Sequence, residues 1–266
     1  MGKNYTSSNR IPTTKKERRE AAREKARKIQ AEEEKRAKRN KMLTIGAIAA
    51  VALVVLISVI SILTGGKDEE EAAEWDAPEV SVTPVTEDDL VTGYQIVGES
   101  KPADDAPRVD LYFDYLCSHC VDLEMRHGAD LATYADNGKA QVILHPVAIL
   151  GQEFSAEATA AFREVAEKDP EHLLAFHKAV FDHAENLMKT RASDAGGWGE
   201  LVSLAEEAGV SSEVAEGLEA NADLEWANKV SEHFLEDYRG TPTLLVNGEQ
   251  NYEWAEKPMG EILGID

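Results

Sequence analysis

From Val109 to Val147 the chain reads strand, helix, strand. The apolar-rich run Val109-Asp110-Leu111-Tyr112-Phe113 precedes a helix-like segment from Cys117 to about Tyr134, a stop at Asn137-Gly138, and a second apolar run from Gln141 to Val147. Two strands joined through a helix become parallel neighbours by a right-handed crossover, and sheets of this kind place their chemistry at the carboxyl ends of the strands. What stands there is Cys117-Ser118-His119-Cys120, which holds both cysteines of the 266-residue chain.

A cysteine at the opening of a helix meets free backbone N–H groups and the positive end of the helix dipole, and both favour thiolate. A second cysteine three residues on shares its face, so it can resolve a mixed disulfide formed by the first. Three plainer readings compete. A zinc site needs about four ligands and would have to recruit from His127, His145, His172, His177, His183 and His233, which show no His-x3-His pairing. A structural disulfide across so short a loop constrains little of the unfolded chain. Two buried, inert thiols are the third.

Around this unit the sequence predicts a first strand at Thr92 to Val97, a polar turn at Lys101 to Ala106 and, from Ser155 to Tyr238, helices only. Start signals stand at Ser155 with Glu157, at Asp169-Pro170-Glu171 and at Ser211-Ser212-Glu213. Leu173, His177, Val180, Phe181, Ala184 and Leu187 follow the spacing of a buried helical stripe, on which His177 is a core histidine rather than a ligand. Gly196-Gly197-Trp198-Gly199 breaks the helices but lacks the strand before it and the Lys-Ser/Thr after it that a phosphate loop requires. Strand character returns at Thr243 to Val246, turns at Asn247-Gly248, and runs from Glu249 to Tyr252 before a last helix near Glu256 to Leu263. The fold class is α/β: a mixed sheet of four or five strands with an all-helical region, about 152–238, inserted within it.

The net charge of −22 conceals two unlike parts. Residues 1–41 hold fifteen Lys/Arg against six Glu, whereas the remainder holds thirteen against forty-four acids. Between the basic tail and the acidic remainder, Met42 to Leu63 is a run of twenty-two residues without a charge, enough for a helix to cross about 30 Å of hydrocarbon. It reads as one transmembrane helix. A cleaved signal has a shorter apolar region and a small-x-small site, which Thr64-Gly65-Gly66-Lys67 matches poorly. The positive-inside rule then places 1–41 in the cytoplasm and the rest outside, where the cysteines face an oxidising compartment. The charged run Lys15 to Lys41 has no aromatic residues among its charges, so nucleic-acid binding is not expected. Residues 64–88, with clustered acids, Pro78 and Pro84, read as an acidic linker, and the folded domain is expected from about Asp89.

Phe113-Asp114-Tyr115-Leu116-Cys117-Ser118-His119-Cys120 and, after the helical insertion, Gly240-Thr241-Pro242-Thr243-Leu244-Leu245-Val246-Asn247-Gly248 together resemble the DsbA-like branch of the thioredoxin superfamily. The resemblance covers about Gly93 to Leu263. With its anchor and acidic linker the chain resembles the membrane-anchored disulfide-forming proteins of Gram-positive actinobacteria. That implies a thioredoxin-like fold, Cys117 as nucleophile, Cys120 as resolver, and His119 stabilising the Cys117 thiolate. It also implies a cis Thr241–Pro242 bond beside the sulfurs, with the Thr241 backbone aimed at an extended substrate. Ser118 departs from the Cys-Pro-His-Cys form, which loosens the loop and alters redox tuning. The implied function is thiol–disulfide exchange that introduces disulfides into secreted cysteine-containing polypeptides, with no cofactor or metal. The implied partner is a quinone-linked membrane protein of the DsbB or vitamin K epoxide reductase type. A reductase or isomerase using the same residues, and a redox-inert peptide-binding module, are the rival readings.

Overall fold

The computed structural model describes residues 77–265. The basic tail, the apolar run 42–63 and the acidic stretch through residue 76 lie outside the described residues, and no helix among those described is long and apolar enough to cross a membrane.

Six strands form one sheet in the order β1-β2-β4-β3-β5-β6: β1 Ser81–Glu87, β2 Leu90–Val97, β3 Arg108–Phe113, β4 Gln141–Pro146, β5 Thr243–Val246 and β6 Glu249–Asn251. Only β3 and β4 pair in parallel, from Arg108↔Gln141 to Phe113↔Pro146, and α1 (Ser118–Asp136) is their crossover. The helical region between β4 and β5 comprises α2 (Glu153–Lys168), a short 3-10 turn, α3 (Leu173–Thr190), α4 (Gly197–Glu207), α5 (Ser212–Asn221) and α6 (Leu224–Asp237), and α7 (Met259–Leu263) closes the chain.

β1 corrects the expected boundary, because the stretch through residue 88 was expected to be linker. Ser81–Glu87 is mostly exposed and polar, so it lacks the alternation that marks a strand, yet it pairs with β2 from Ser81↔Val97 to Glu87↔Leu90. Asp88 and Asp89, at φ 48° and 66°, make the turn, and two successive positive-φ residues are what a two-residue hairpin with the right twist needs. Pro84 is tolerated because β1 is an edge strand, where a missing N–H leaves no partner unpaired. With β1 and β6 at its edges, the sheet has six strands rather than four or five.

The pleat sorts the core into two layers. Val109, Leu111 and Phe113 face the main cluster with Val121, Leu123 and Leu131 of α1 and the aromatic and aliphatic residues of the insertion. Tyr112 faces the other way and packs with Val147, Phe234 and Leu245 under α6. Asp110 shares the Tyr112 face, buried beside the fully buried His145 of β4. Its carboxylate accepts from Arg108 Nε and Nη2 at 2.7 and 2.6 Å and lies 3.0 Å from His145 Nε2, whose Nδ1 is 3.0 Å from the Thr92 carbonyl. A Cβ at Gly93 would come within 2.4 Å of that Nδ1, so the glycine makes the room.

Two expected helix starts differ in detail. α2 begins at Glu153 with Gln152 as its N-cap, so Ser155 is inside the first turn, buried, with its hydroxyl turned to Asp114. Asp169 is the N-cap of the 3-10 turn as expected, but its side chain makes no capping bond to the turn's N–H groups; its carboxylate meets His172 Nδ1 at 2.6 Å and accepts from the Ser211 N–H at 2.8 Å, tying the insertion together. The α3 stripe is buried from Leu173 through Ala184, including His177, while Leu187 at its end is only part-buried.

Candidate active site

β3 ends at Phe113, and the next residue sets the geometry of the site. The Asp114 side chain is fully buried and accepts hydrogen bonds from the Leu116 N–H at 3.0 Å, the Leu150 N–H at 3.1 Å and the Ser155 hydroxyl at 2.7 Å. One carboxylate thereby joins the loop before the cysteines to the loop after β4. Its own pKa is raised, because burial outweighs the hydrogen bonds that favour the charged form. The Asp114 carbonyl accepts from the Cys117 N–H at 3.0 Å, and Cys117 in turn is the N-cap of α1, its carbonyl taking the Val121 N–H.

Both cysteines are free thiols, and their environments push them apart. The Cys117 pKa falls to about 5, chiefly through a hydrogen bond from Cys120, with the Thr241 side chain and the backbone N–H groups of Cys120 and His119 adding to it against the effect of burial. Cys120 goes the other way: burial raises it, and the neighbouring Cys117 raises it further. Their exposures of 8 % and 2 % agree with an outer and an inner sulfur. A thiolate held by N–H groups at a helix opening, with a protonated thiol beneath it, is the form of a pair ready for exchange.

The Thr241–Pro242 bond is cis and lies against this pair. The Thr241 carbonyl is 3.2 Å from Cys117 Sγ and accepts its proton only when Cys117 is a neutral thiol. The buried Thr241 hydroxyl has no hydrogen-bond partner among the described residues, and its place beside the sulfurs favours the thiolate of both cysteines. Thr243 anchors the loop, its hydroxyl donating to the Gly240 carbonyl at 2.8 Å.

Ser118 and His119 sit at the first turn of α1 with both side chains exposed. The contribution of position 119 to the Cys117 thiolate comes from its backbone N–H. One turn beyond Cys120, the buried Glu124 folds over Gly128, where a Cβ would lie 2.0 Å from its carboxylate. Its Oε2 is 3.5 Å from His177 Nε2, while His177 Nδ1 meets the Tyr115 hydroxyl at 3.0 Å. Sequence reasoning did not single out Glu124, and it met Asp114 only within a motif phrase. The short Asp-x-N–H turn that Asp114 makes is the one local signal of its role. Among the described residues the one group with metal-ligand spacing is Asp169, Glu171 and His172, and it contains neither cysteine.

A family model described as thioredoxin matches residues 96–260, a span that takes in the cysteines, the insertion and the cis-prolyl loop. The chain belongs to the thioredoxin family. Among solved structures, this thioredoxin-family chain is similar to the MdbA thiol–disulfide oxidoreductase of Actinomyces oris, with 26% identity over 59% of this chain and 80% of that one and a TM-score of 0.53. The disulfide bond oxidoreductase DsbG of Mycobacterium tuberculosis is similar at 27% identity over 65% and 80%, with a TM-score of 0.50. MdbA of Corynebacterium matruchotii, at 20% identity over 68% and 90% and a TM-score of 0.57, shares the fold. None of the curated proteins matches the sequence significantly. The structural neighbours of this thioredoxin-family member are thiol–disulfide oxidoreductases of the DsbA type.

Proposed function

We propose that this protein is a membrane-anchored, extracytoplasmic thiol–disulfide oxidoreductase that introduces disulfides into secreted polypeptides. The observation that carries the reading is the divergence of the two sulfurs: Cys117 lowered to about 5 at the open helix end, Cys120 raised and buried beneath it. In the oxidised form a substrate thiolate attacks Cys117 Sγ, the Cys117–Cys120 bond breaks, and Cys120 departs with the electron pair and takes up a proton. A second substrate thiolate then attacks the substrate sulfur of the mixed disulfide, which forms the substrate disulfide and expels Cys117 as thiolate. The enzyme ends reduced by two electrons. A quinone-linked membrane partner of the DsbB or vitamin K epoxide reductase type is the acceptor that restores it.

The same geometry supports the oxidising direction. Groups that lower the Cys117 pKa stabilise the reduced enzyme relative to its disulfide, which makes the disulfide a stronger oxidant. A reductase would use the same residues in reverse, so the equilibrium with glutathione separates the two. The oxidase reading expects a reduction potential above the roughly −270 mV of thioredoxin, and a value below it overturns the direction. In cells, Cys120→Ser should accumulate mixed disulfides with secreted proteins and Cys117→Ser should not. Equal trapping by both variants, or by neither, contradicts the assignment of roles.

A further inference from the structure

Leu116, the residue before Cys117, is half-buried and forms one wall of a cavity of about 240 Å³. Gln152 lines it on the same side, and Ala184, Leu187 and Met188 line it from the last turns of α3. Leu150, near Gln152 in the loop pinned by Asp114, is exposed, as is Met188. The space far exceeds the about 30 Å³ share of one water. It is of side-chain size, its walls mix the apolar side chains of Leu116, Leu187 and Met188 with the polar groups of Gln152, Arg191 and Ser193, and Leu116 makes it continuous with the catalytic loop.

Arg191 also lines the cavity and is the second observation. It occupies the C-cap of α3 at φ 57°, ψ 34°, the left-handed position at which helices usually place glycine because any Cβ is unfavourable there. A side chain is thus carried at a conformational cost, and its guanidinium makes no ion pair among the described residues, although the domain is rich in carboxylates. Lys189, two residues before it, is by contrast paired with Glu185.

We propose that this cavity is a specificity subsite for the polypeptide substrate, taking an apolar side chain that flanks the reactive cysteine, with Arg191 pairing with a carboxylate on the adjacent substrate residue. The inference rests on the oxidoreductase reading above and adds the substrate chemistry. A polypeptide joined to Cys117 has to continue over Leu116 or over Thr241. The Leu116 side leads into the cavity, and Arg191 there attracts acidic and repels basic neighbours.

The test uses the oxidised full-length chain in lipid nanodiscs and reduced two-cysteine peptides. The peptides differ only in a Leu-Glu, Leu-Lys, Ala-Glu or Ala-Lys pair placed in turn at each position flanking the first cysteine. Peptide disulfide formation is read by acid quench and mass spectrometry. At the productive position Leu-Glu should be oxidised about tenfold faster than Ala-Lys, equivalent to about 1.4 kcal/mol. Ala192→Trp, on the exposed rim, should collapse that ratio by filling the cavity. Arg191→Gly should abolish the Glu-over-Lys part alone, and Arg191→Lys should restore most of it. Because each ratio compares two peptides on one enzyme, general damage to a variant cancels. Equal wild-type rates at every position, or a ratio that survives Ala192→Trp, overturns the subsite. Failure of the wild-type protein to oxidise any peptide instead overturns the oxidoreductase reading on which it stands.

Discussion

Cys117 ionises near 5 because four neighbours act on one sulfur: the Cys120 thiol, the Thr241 side chain and two N–H groups of the helix opening. An ordinary cysteine titrates at about 8.5. The alkylation rate of the reduced protein with iodoacetamide should therefore be half-maximal near pH 5, and a midpoint in the ordinary thiol range sinks the site geometry. The linkage has a definite sign. A folded-state pKa below the unfolded one gives stability that is complete above the unfolded value and is lost as pH falls through the folded one. The reduced protein should thus lose stability relative to Cys117→Ala as pH drops from 9 towards 5. Cys117, Cys120, Thr241 and Pro242 were legible in the sequence, since their types carry chemistry and their spacing is specific. Asp114 and Glu124 were far less so. Each is one carboxylate among the forty-four after residue 41, and only burial shows that these two face inward.

Elements were legible where one face is apolar and the other polar. α1 runs within a residue or two of the segment read for it, the α3 stripe is buried from Leu173 through Ala184 where the three-and-four spacing put it, and β3, β4 and β5 were read to within a residue or so. β1 escaped because an edge strand needs no apolar face, and the α2 start shifted because Ser155 was turned inward by a carboxylate from a distant element. Nor does the β3 sequence reveal that Asp110 is held by Arg108 and His145. Burial raises the Asp110 pKa, but those two partners more than offset it, so it lies below its ordinary value. Asp110→Asn should cost about 3 kcal/mol, the usual penalty for breaking a buried pair from one side, measured as a lower urea midpoint. Because a depressed carboxylate stabilises only above its unfolded pKa, the gap between the two proteins should narrow as pH falls below the ordinary carboxylate range. A gap that persists in acid, or no gap at neutral pH, refutes the role of the ion pair.

At the scale of the whole chain, the charge asymmetry supplies the one statement about place. If 42–63 is an uncleaved anchor oriented by the basic tail, protease added to intact protoplasts should remove the cysteine-bearing domain and spare a small basic fragment. Release of an intact domain into the medium by cleavage just after Gly66 is the contrary result. The order of strands then has a mechanical consequence. β1 is the first element after the acidic stretch, and Ser81 pairs with Val97 at the end of the hairpin remote from the Asp88-Asp89 turn. Tension arriving from upstream must first draw Val80 out of the main core, and it then loads that pair, so that β1 would peel from β2 one step at a time instead of shearing along its whole length. Its seven residues pay out about 24 Å of slack at full extension, while β2 keeps its separate pairing with β4. A pull from upstream therefore has Val80 and β1 to undo before it reaches the strands that hold Cys117 and its partners.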